Sequence, residues 1–465
     1  MDPLGCRADW PGRDHVGRAG ADPALSAQAA GGARMTGFQF GIAGIVLLFV
    51  MLFLRQPVWL AMAVVGVVGN IFLNNLNMAK FITSTTFFDT AGSYSLSVIP
   101  LFILMGEIAS GSRMSSDLFR AAQVMLSGLR GGLGIATVAA SGAFGAICGS
   151  SVATAASMTR IALPEMKRAG YEEGYSAATI AAGGTLGILI PPSIVLVIYG
   201  SIAEQSVARL FAAALFPGVL LAVLYGIVAL WVAHRGGAPV EVSATFKERI
   251  AALRHAWAFA LLFAVTIGGI YTGLFSPNEA ASIGAFGAIL IGFARRSLSL
   301  EGLLKAVQAS VLMSCTLFLI IMGAKLFGQF IVQTHLPDTL LQLALEAQLS
   351  PFTVMGIIIF LYILLGCFLE GFGMVLITVP VFLPVVAGYG YDPILFGVLV
   401  VVLVELGLIS PPVGMNLFII RAQVPDMPMS GLYRGIAPFL IAPVLLVGLI
   451  LTFPQLTLWL PRLLY

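Results

Sequence analysis

The chain has 465 residues, of which 59% are hydrophobic and 10% are charged, and its mean hydropathy is +1.00. This composition is far more apolar than that of an average soluble domain, which excludes water as the main solvent of the protein. The formal net charge of +3 is small, and no basic tract indicates nucleic-acid binding. The four cysteines lack metal-ligand spacing, which argues against a zinc site.

Residues 1–34 differ in composition from the rest of the chain. They are rich in Gly, Ala, Arg and Asp and contain no apolar run that resembles a signal-peptide core. Met35 opens an apolar segment that reads as a natural first span. We therefore expect residues 1–34 to be a disordered tail or the product of a misassigned translation start.

Apolar stretches of about 20 residues recur along the chain, each long enough to cross the hydrocarbon core of a bilayer. In the first half, crossing helices are predicted at 37–54, 57–76, 97–112, 174–202 and 207–233. In the second half, they are predicted at 256–273, 277–294, 306–332, 393–421 and 434–461. Segments 133–163 and 353–384 are apolar but interrupted at the middle by glycine, small or polar residues, which indicates re-entrant helical hairpins. The predicted fold class is an all-α polytopic membrane protein with about ten crossing helices and two hairpins.

The distribution of Lys and Arg predicts the orientation of the spans. Most basic residues fall in connections on one side, which we assign to the cytoplasm, including the linker 234–255. The opposite side has only three after the first span begins: Lys80, Arg209 and Arg462. Both ends of the mature chain are therefore predicted to be periplasmic, in a bacterial inner membrane.

The two halves of the chain, 35–233 and 256–465, share features at a constant offset. Pro57 matches Pro277, and the dipeptide Pro191-Pro192 matches Pro411-Pro412, each 220 positions later. Each predicted repeat contains one hairpin, one broken helix and an odd number of crossings, so the two copies have opposite orientations. Inverted repeats are typical of secondary transporters that work by alternating access.

The two Pro-Pro dipeptides lie in the middle of apolar segments, 174–202 and 393–421. Adjacent prolines donate no backbone N–H and push the preceding residue out of the helical region, so each helix must break there. Broken backbone at membrane depth is tolerated where it is buried or lines a polar cavity. The freed carbonyl groups suit a cation such as Na⁺, and the next half-helix offers N–H groups to an anion.

A series of motifs, in order and at matching spacing, resembles one family across residues 36–461. They are GSSVATAAS, LPEMKRAGY, GGTLGILIPPSIVLVIYG, LFPG, SPNEAA, LITVPVFLPVV, FGVLVVVLVELGLISPPVGMNLF and APFL. The family is the large membrane subunit of tripartite ATP-independent periplasmic (TRAP) transporters. The resemblance implies an elevator-type carrier driven by Na⁺ as coupling ion. It also implies a small four-helix membrane subunit, a periplasmic solute-binding protein and an organic-anion substrate such as a C4-dicarboxylate or sialic acid.

The same resemblance implies two Na⁺ sites and a substrate site. The first Na⁺ site would be formed by residues of the first hairpin tip and the first break: Gly145, Cys148, Ser150, Gly187, Ile190 and Pro191. The second would be formed by the equivalent region: Gly366, Gly407, Ser410, Val413 and Met415. Cys148 stands where relatives commonly have serine, so ligation there would rest on backbone oxygens. Candidates for polar contact with substrate are Ser151, Thr154, Ser193 and Asn416.

One other transporter class remains open from the sequence. A one-component Na⁺/dicarboxylate-type symporter of the same superfamily would work without a binding protein or small subunit. An enzyme is not expected, because GxSxG and HExxH motifs are absent and all four histidines lie in the tail or in predicted loops. No phosphate-binding GxxxxGK[ST] motif is present, so neither ATP coupling nor an organic cofactor is expected.

Overall fold

The computed structural model describes residues 36–237 and 242–465, and every regular element in these ranges is helical. The predicted all-α fold is therefore confirmed. The prediction made for residues 1–34 falls outside the described residues.

The first half of the chain forms ten α-helices. They are α1 (Gly37–Phe53), α2 (Val58–Leu73), α3 (Leu76–Ala91), α4 (Val98–Gly111), α5 (Met114–Leu126), α6 (Gly132–Cys148), α7 (Ser151–Arg168), α8 (Glu173–Leu189), α9 (Ile194–Ile202) and α10 (Val207–Arg235). A short 3₁₀ turn, Tyr94–Ser97, precedes α4. The predicted first hairpin corresponds to α6 and α7, and the predicted first broken helix corresponds to α8 and α9.

Twelve α-helices follow in the second half. They are α11 (Phe246–His255), α12 (Trp257–Tyr271), α13 (Pro277–Ala294), α14 (Leu300–Gln333), α15 (Leu336–Glu346), α16 (Pro351–Gly366), α17 (Gly371–Gly388), α18 (Pro393–Ile409), α19 (Met415–Gln423), α20 (Met429–Ile436), α21 (Ile441–Thr452) and α22 (Gln455–Leu464). Helices α16 and α17 form the second hairpin, and α18 and α19 form the second broken helix.

Several of these helices can span a membrane. Among the described residues, five helical segments are long and apolar enough to cross, or seven when each of two bent pairs is counted as one span. Five shorter apolar helices of 10–17 residues accompany them. The chain is therefore a multi-pass membrane protein, and its ten crossings and their orientation remain predictions.

The structure departs from the predicted spans at the end of the chain. The span predicted at 434–461 ends at Thr452 and is followed by the separate helix α22. Pro454 lies at this break, where its missing N–H cannot continue the helical ladder. Helices α3, α5 and α15 lie outside the predicted spans because each contains too many polar residues to resemble one.

Small residues allow the helices around the site to approach closely. A Cβ on Gly66 of α2 would lie 2.5 Å from the backbone carbon of Leu326 in α14, so the two backbones are in contact there. A polar contact fixes the 3₁₀ turn against α13, since the Asn278 amide donates to the Tyr94 carbonyl at 2.5 Å and to the Ser97 hydroxyl at 3.1 Å. Helices α8 and α18 lie at the centre, with almost every residue buried.

Candidate functional site

The first hairpin turns directly against the first broken helix. Helix α6 ends at Cys148, Gly149 takes a left-handed conformation with φ of 64°, and α7 begins at Ser151. A Cβ on Gly145 would lie 2.5 Å from the Cα of Gly187, so only hydrogen atoms separate the two backbones. This contact places the hairpin tip beside the last turn of α8.

Oxygen atoms of the hairpin surround this contact. Thr154 donates its hydroxyl to the Ser150 carbonyl at 2.7 Å, and Ser150 accepts from the Ala153 N–H at 3.4 Å. A Cβ on Gly187 would lie 2.8 Å from the Thr154 hydroxyl oxygen and 3.0 Å from the Ser150 carbonyl oxygen. The structure thus brings four predicted residues, Gly145, Ser150, Thr154 and Gly187, into one cluster.

The first break is completely buried. Helix α8 ends at Leu189, Ile190 turns to an extended conformation, and the Pro191-Pro192 peptide bond is cis. The Ser193 hydroxyl donates to the Ile188 carbonyl and accepts from the Leu196 N–H at 3.3 Å. Ser193 was predicted as a substrate contact, but both of these hydrogen bonds remain within the break.

The second hairpin and second broken helix repeat this arrangement. A Cβ on Gly366, the last residue of α16, would lie 2.9 Å from the Cα of Gly407 in α18. The Pro411-Pro412 peptide bond is also cis. The glycine contact and the broken helix therefore have equivalent local geometry in the two halves of the chain.

Donors from two other elements hold the second break. The one S–H donor of Cys367 lies 3.3 Å from both the Pro411 and the Ile363 carbonyl oxygens, and the Tyr433 hydroxyl donates to the Pro412 carbonyl. The Ser410 hydroxyl donates to the Leu406 carbonyl at 2.6 Å, which leaves its oxygen lone pairs available. Cys367 and Tyr433 were not among the predicted site residues, and no local sequence pattern signals their contacts.

The two halves interlock around the breaks. Helix α9, which follows the first break, packs on α17 of the second hairpin, and α19, which follows the second break, packs on α7 of the first hairpin. The Asn416 amide donates to the Ala181 carbonyl of α8 at 3.2 Å, which ties α19 to the first broken helix. The Asn416 carbonyl oxygen is buried and has no hydrogen-bond partner within the described ranges.

Burial distinguishes the two parts of the site. Ser151 is buried at the start of α7, and Cys148 is buried against Gly106 of α4. In the second half, Pro411 and Pro412 are exposed, Val413 is half-buried, and Met415 is 37% exposed. The first predicted cluster is thus closed, whereas the second is buried at Gly366, Gly407 and Ser410 and open at Pro411, Pro412 and Met415.

The starts of the helices at the site also differ. Ser150 and Ser193 cap α7 and α9 through their hydroxyl oxygens. In the second half, Glu370 precedes α17 and Gly414 precedes α19, and neither provides a side-chain cap. The first N–H groups of α17 and α19 therefore lack the side-chain acceptors that Ser150 and Ser193 provide to α7 and α9.

Lys325 lies in α14 and lines two adjoining cavities of about 660 Å³ and 510 Å³. Ser201, near the end of α9, and Glu204, just after it, line both cavities too. The larger cavity continues to Pro384 near the end of α17. A basic side chain thus lines largely apolar cavities between α14, α9 and the hairpin helix α17.

Comparison with known proteins gives the family. Residues 45–456 match the family described as tripartite ATP-independent periplasmic transporter, DctM component. The chain is 35% identical to the C4-dicarboxylate TRAP transporter large permease protein DctM of Pseudomonas aeruginosa, over 81% of this chain and 88% of that protein. It is 30% identical to the sialic acid TRAP transporter large permease protein SiaM of Vibrio cholerae, over 80% and 87%. It is 31% identical to the ectoine TRAP transporter large permease protein TeaC of Halomonas elongata, over 79% and 86%.

Solved structures agree on the fold. The YdaH transporter of Alcanivorax borkumensis superimposes with a TM-score of 0.55 at 17% identity, covering 83% of this chain and 90% of that one. The efflux pump MtrF of Neisseria gonorrhoeae gives a TM-score of 0.54 at 14% identity, covering 91% and 97%. The relatives are transporter permeases, which are not enzymes. The predicted resemblance is confirmed: the chain belongs to the DctM family of TRAP transporter large permease subunits.

Proposed function

We propose that this chain is the Na⁺-coupled large permease subunit of a TRAP transporter for a small organic anion. The observation that carries the proposal is the pair of equivalent contacts between a hairpin tip and a broken helix, in a chain of this family. Its partners would be a small four-helix membrane subunit and a periplasmic solute-binding protein, in a bacterial inner membrane with both ends of the chain periplasmic.

The first cluster fits a Na⁺ site by its donor chemistry. A hard cation prefers oxygen ligands, and the Ser150 carbonyl and Thr154 hydroxyl adjoin the backbone of Gly187. Cys148 would contribute through its carbonyl group, because a buried thiol is a poor ligand for a hard cation. In the second half, Ser410 would supply its hydroxyl oxygen. Bound Na⁺ would offset the negative charge of the substrate.

The second half suits the anion better than the first. The starts of α17 and α19 lack side-chain caps and present N–H groups, and α19 begins at the exposed Met415. Helix N-termini favour negative charge. Asn416, in the first turn of α19, is a further polar candidate, although it is buried. Lys325 would attract an organic anion into the cavities along α14.

An elevator movement would alternate access to this site. The hairpins and broken helices interlock and would move as a unit against α2 and α14, whose backbones are in close contact. The second hairpin is predicted to enter from the periplasmic side, so its tip points inward. Its exposed tip corresponds to a conformation that is open to the cytoplasm, while the first tip stays closed.

Uptake by purified protein in proteoliposomes tests the proposal. The chain would be reconstituted with its small subunit and binding protein, and uptake of labelled C4-dicarboxylates and sialic acid would be followed with an inward Na⁺ or K⁺ gradient. We expect uptake only with Na⁺ and with both partners. Uptake by the chain alone would favour the one-component symporter. Equal uptake with a Na⁺ and with a K⁺ gradient would refute both proposed cation sites.

A further inference from the structure

The helix α11, in the linker between the two halves, presents an apolar stripe away from the protein. Phe246, Ile250 and Leu253 are 78%, 45% and 53% exposed, and Trp257, at the start of α12, is 47% exposed. The spacing of four and three residues places Phe246, Ile250 and Leu253 on one face of α11, and Trp257 follows beyond the bend into α12. No residue of α11 is buried.

The opposite face of α11 is the one that packs on the protein. Glu248, Ala252 and His255 line a crevice between α11 and α5. At 100° per residue these three positions lie roughly opposite the apolar stripe. The stripe is therefore the outward face of a docked helix and not a surface that turns inward.

Basic residues flank the stripe. Lys247 and Arg254 lie seven residues apart, on the same flank, and neither has an ion-pair partner in the described part of the chain. Glu248 belongs to the capping box at the start of α11: its carboxylate accepts from the Thr245 N–H at 2.7 Å and from the Thr245 hydroxyl at 2.8 Å. The outward surface of α11 is therefore apolar with a positive margin.

The neighbours of α11 place it at the level of a membrane surface. Helix α11 meets the apolar helix α12 at a bend of 55°. Trp257 lies at that bend, and Trp231, in the last turns of α10, stacks under the Arg235 guanidinium at 4.0 Å. Tryptophan and arginine at the ends of two apolar helices are typical of the headgroup region. The linker therefore begins and ends at this level.

We propose that α11 is an interfacial helix that inserts its stripe into a leaflet of anionic phospholipid. An exposed apolar stripe with a basic margin along one side is the surface that such a leaflet complements. The docked side of α11 would transmit this anchoring, since the Ala244 N–H donates to the Ser127 hydroxyl at 2.9 Å and Arg249 donates to the Ser127 carbonyl at 3.4 Å. Ser127 directly follows α5, just before the first hairpin. Anionic lipid would thus fix the point from which the hairpin starts.

Fluorescence quenching tests the insertion directly. Bimane would be attached to Ile250→Cys or to the flanking Lys247→Cys, in a chain whose own cysteines are replaced by alanine, in phosphatidylcholine vesicles containing phosphatidylglycerol. We expect a doxyl-labelled lipid to quench the probe at 250 and aqueous iodide to quench the probe at 247. Iodide access to both probes would overturn the proposal. If the probe at 250 is shielded from iodide only when the small subunit is present, the stripe binds that subunit, and the lipid proposal is overturned as well.

Charge reversal provides a second measurement that needs no label. We expect phosphatidylglycerol to raise the unfolding midpoint of the chain in nanodiscs, and the double variant Lys247→Glu with Arg254→Glu to lose most of that rise. Each charge removed weakens the lipid interaction about fivefold. Lys305→Glu is the control for a charge change elsewhere, because Lys305 is exposed on α14 and its charge is already paired with Glu301 at 2.7 Å. An equal rise in the double variant and in the control would refute the lipid contact.

Discussion

A methyl group on Gly145 would enter the contact on which the first proposed Na⁺ site depends. The added Cβ would lie 2.5 Å from the Cα and 2.9 Å from the backbone nitrogen of Gly187. Both are backbone atoms, so the clash is relieved only by moving the hairpin tip away from α8. Overpacking of this kind costs about 1–3 kcal/mol, which corresponds to a roughly 5- to 150-fold weaker Na⁺ affinity if the cation needs the closed contact.

The assay is uptake rate against Na⁺ concentration for Gly145→Ala in proteoliposomes with both partners. Gly356→Ala in α16 is the matched control, since a Cβ there meets nothing within 4 Å. We expect the half-saturating Na⁺ concentration to rise in the first variant and to stay unchanged in the control. A normally folded Gly145→Ala protein with unchanged Na⁺ dependence would refute the assignment of this contact to cation binding.

Three further variants probe other contacts. Tyr433→Phe removes the donor to the Pro412 carbonyl, worth about 1 kcal/mol, and should raise the half-saturating Na⁺ concentration about fivefold in the same uptake assay. Lys325→Gln should raise the KM for the organic anion about fivefold while leaving the Na⁺ dependence intact, as measured by substrate titration at saturating Na⁺. Asn278→Ala leaves the Tyr94 carbonyl without its donor and should destabilise the protein by about 1–3 kcal/mol, seen as a lower unfolding midpoint.

The parts of the fold that follow from local chemistry could be predicted from the sequence. Length and hydropathy located the apolar helices, because each must satisfy its backbone internally to enter a membrane. The two Pro-Pro dipeptides located the breaks, because proline cannot continue the helical ladder in any surroundings. The breaks fall one or two residues from the predicted positions, at Leu189 and Ile409.

The parts that depend on distant contacts could not be predicted. Tyr433 reaches Pro412 across 21 residues and Cys367 reaches Pro411 across 44, and neither spacing belongs to a helical or extended period. The sequence also could not predict that the α11 stripe faces outward, because periodicity shows that a helix has an apolar face but not whether another part of the protein covers it. The last span ends early, at Thr452, for a local reason: Pro454 interrupts the helix although the apolar sequence continues.

The differences between the halves bear on how a symmetric architecture can perform an asymmetric task. In the first half, Ser150 and Ser193 satisfy the helix starts internally. The Ser150 carbonyl accepts from both the N–H and the hydroxyl of Thr154, so the Thr154 hydroxyl oxygen is the side-chain acceptor left beside Gly187. In the second half, the starts of α17 and α19 lack side-chain caps and adjoin exposed backbone. Donors from Cys367 and Tyr433 meanwhile occupy two of its carbonyl groups. The first half therefore offers oxygen acceptors beside Gly187, whereas the second combines the Ser410 hydroxyl oxygen with the N–H groups at the starts of α17 and α19. An anion at these helix starts would lie next to the second proposed cation site, where the two charges would stabilise each other.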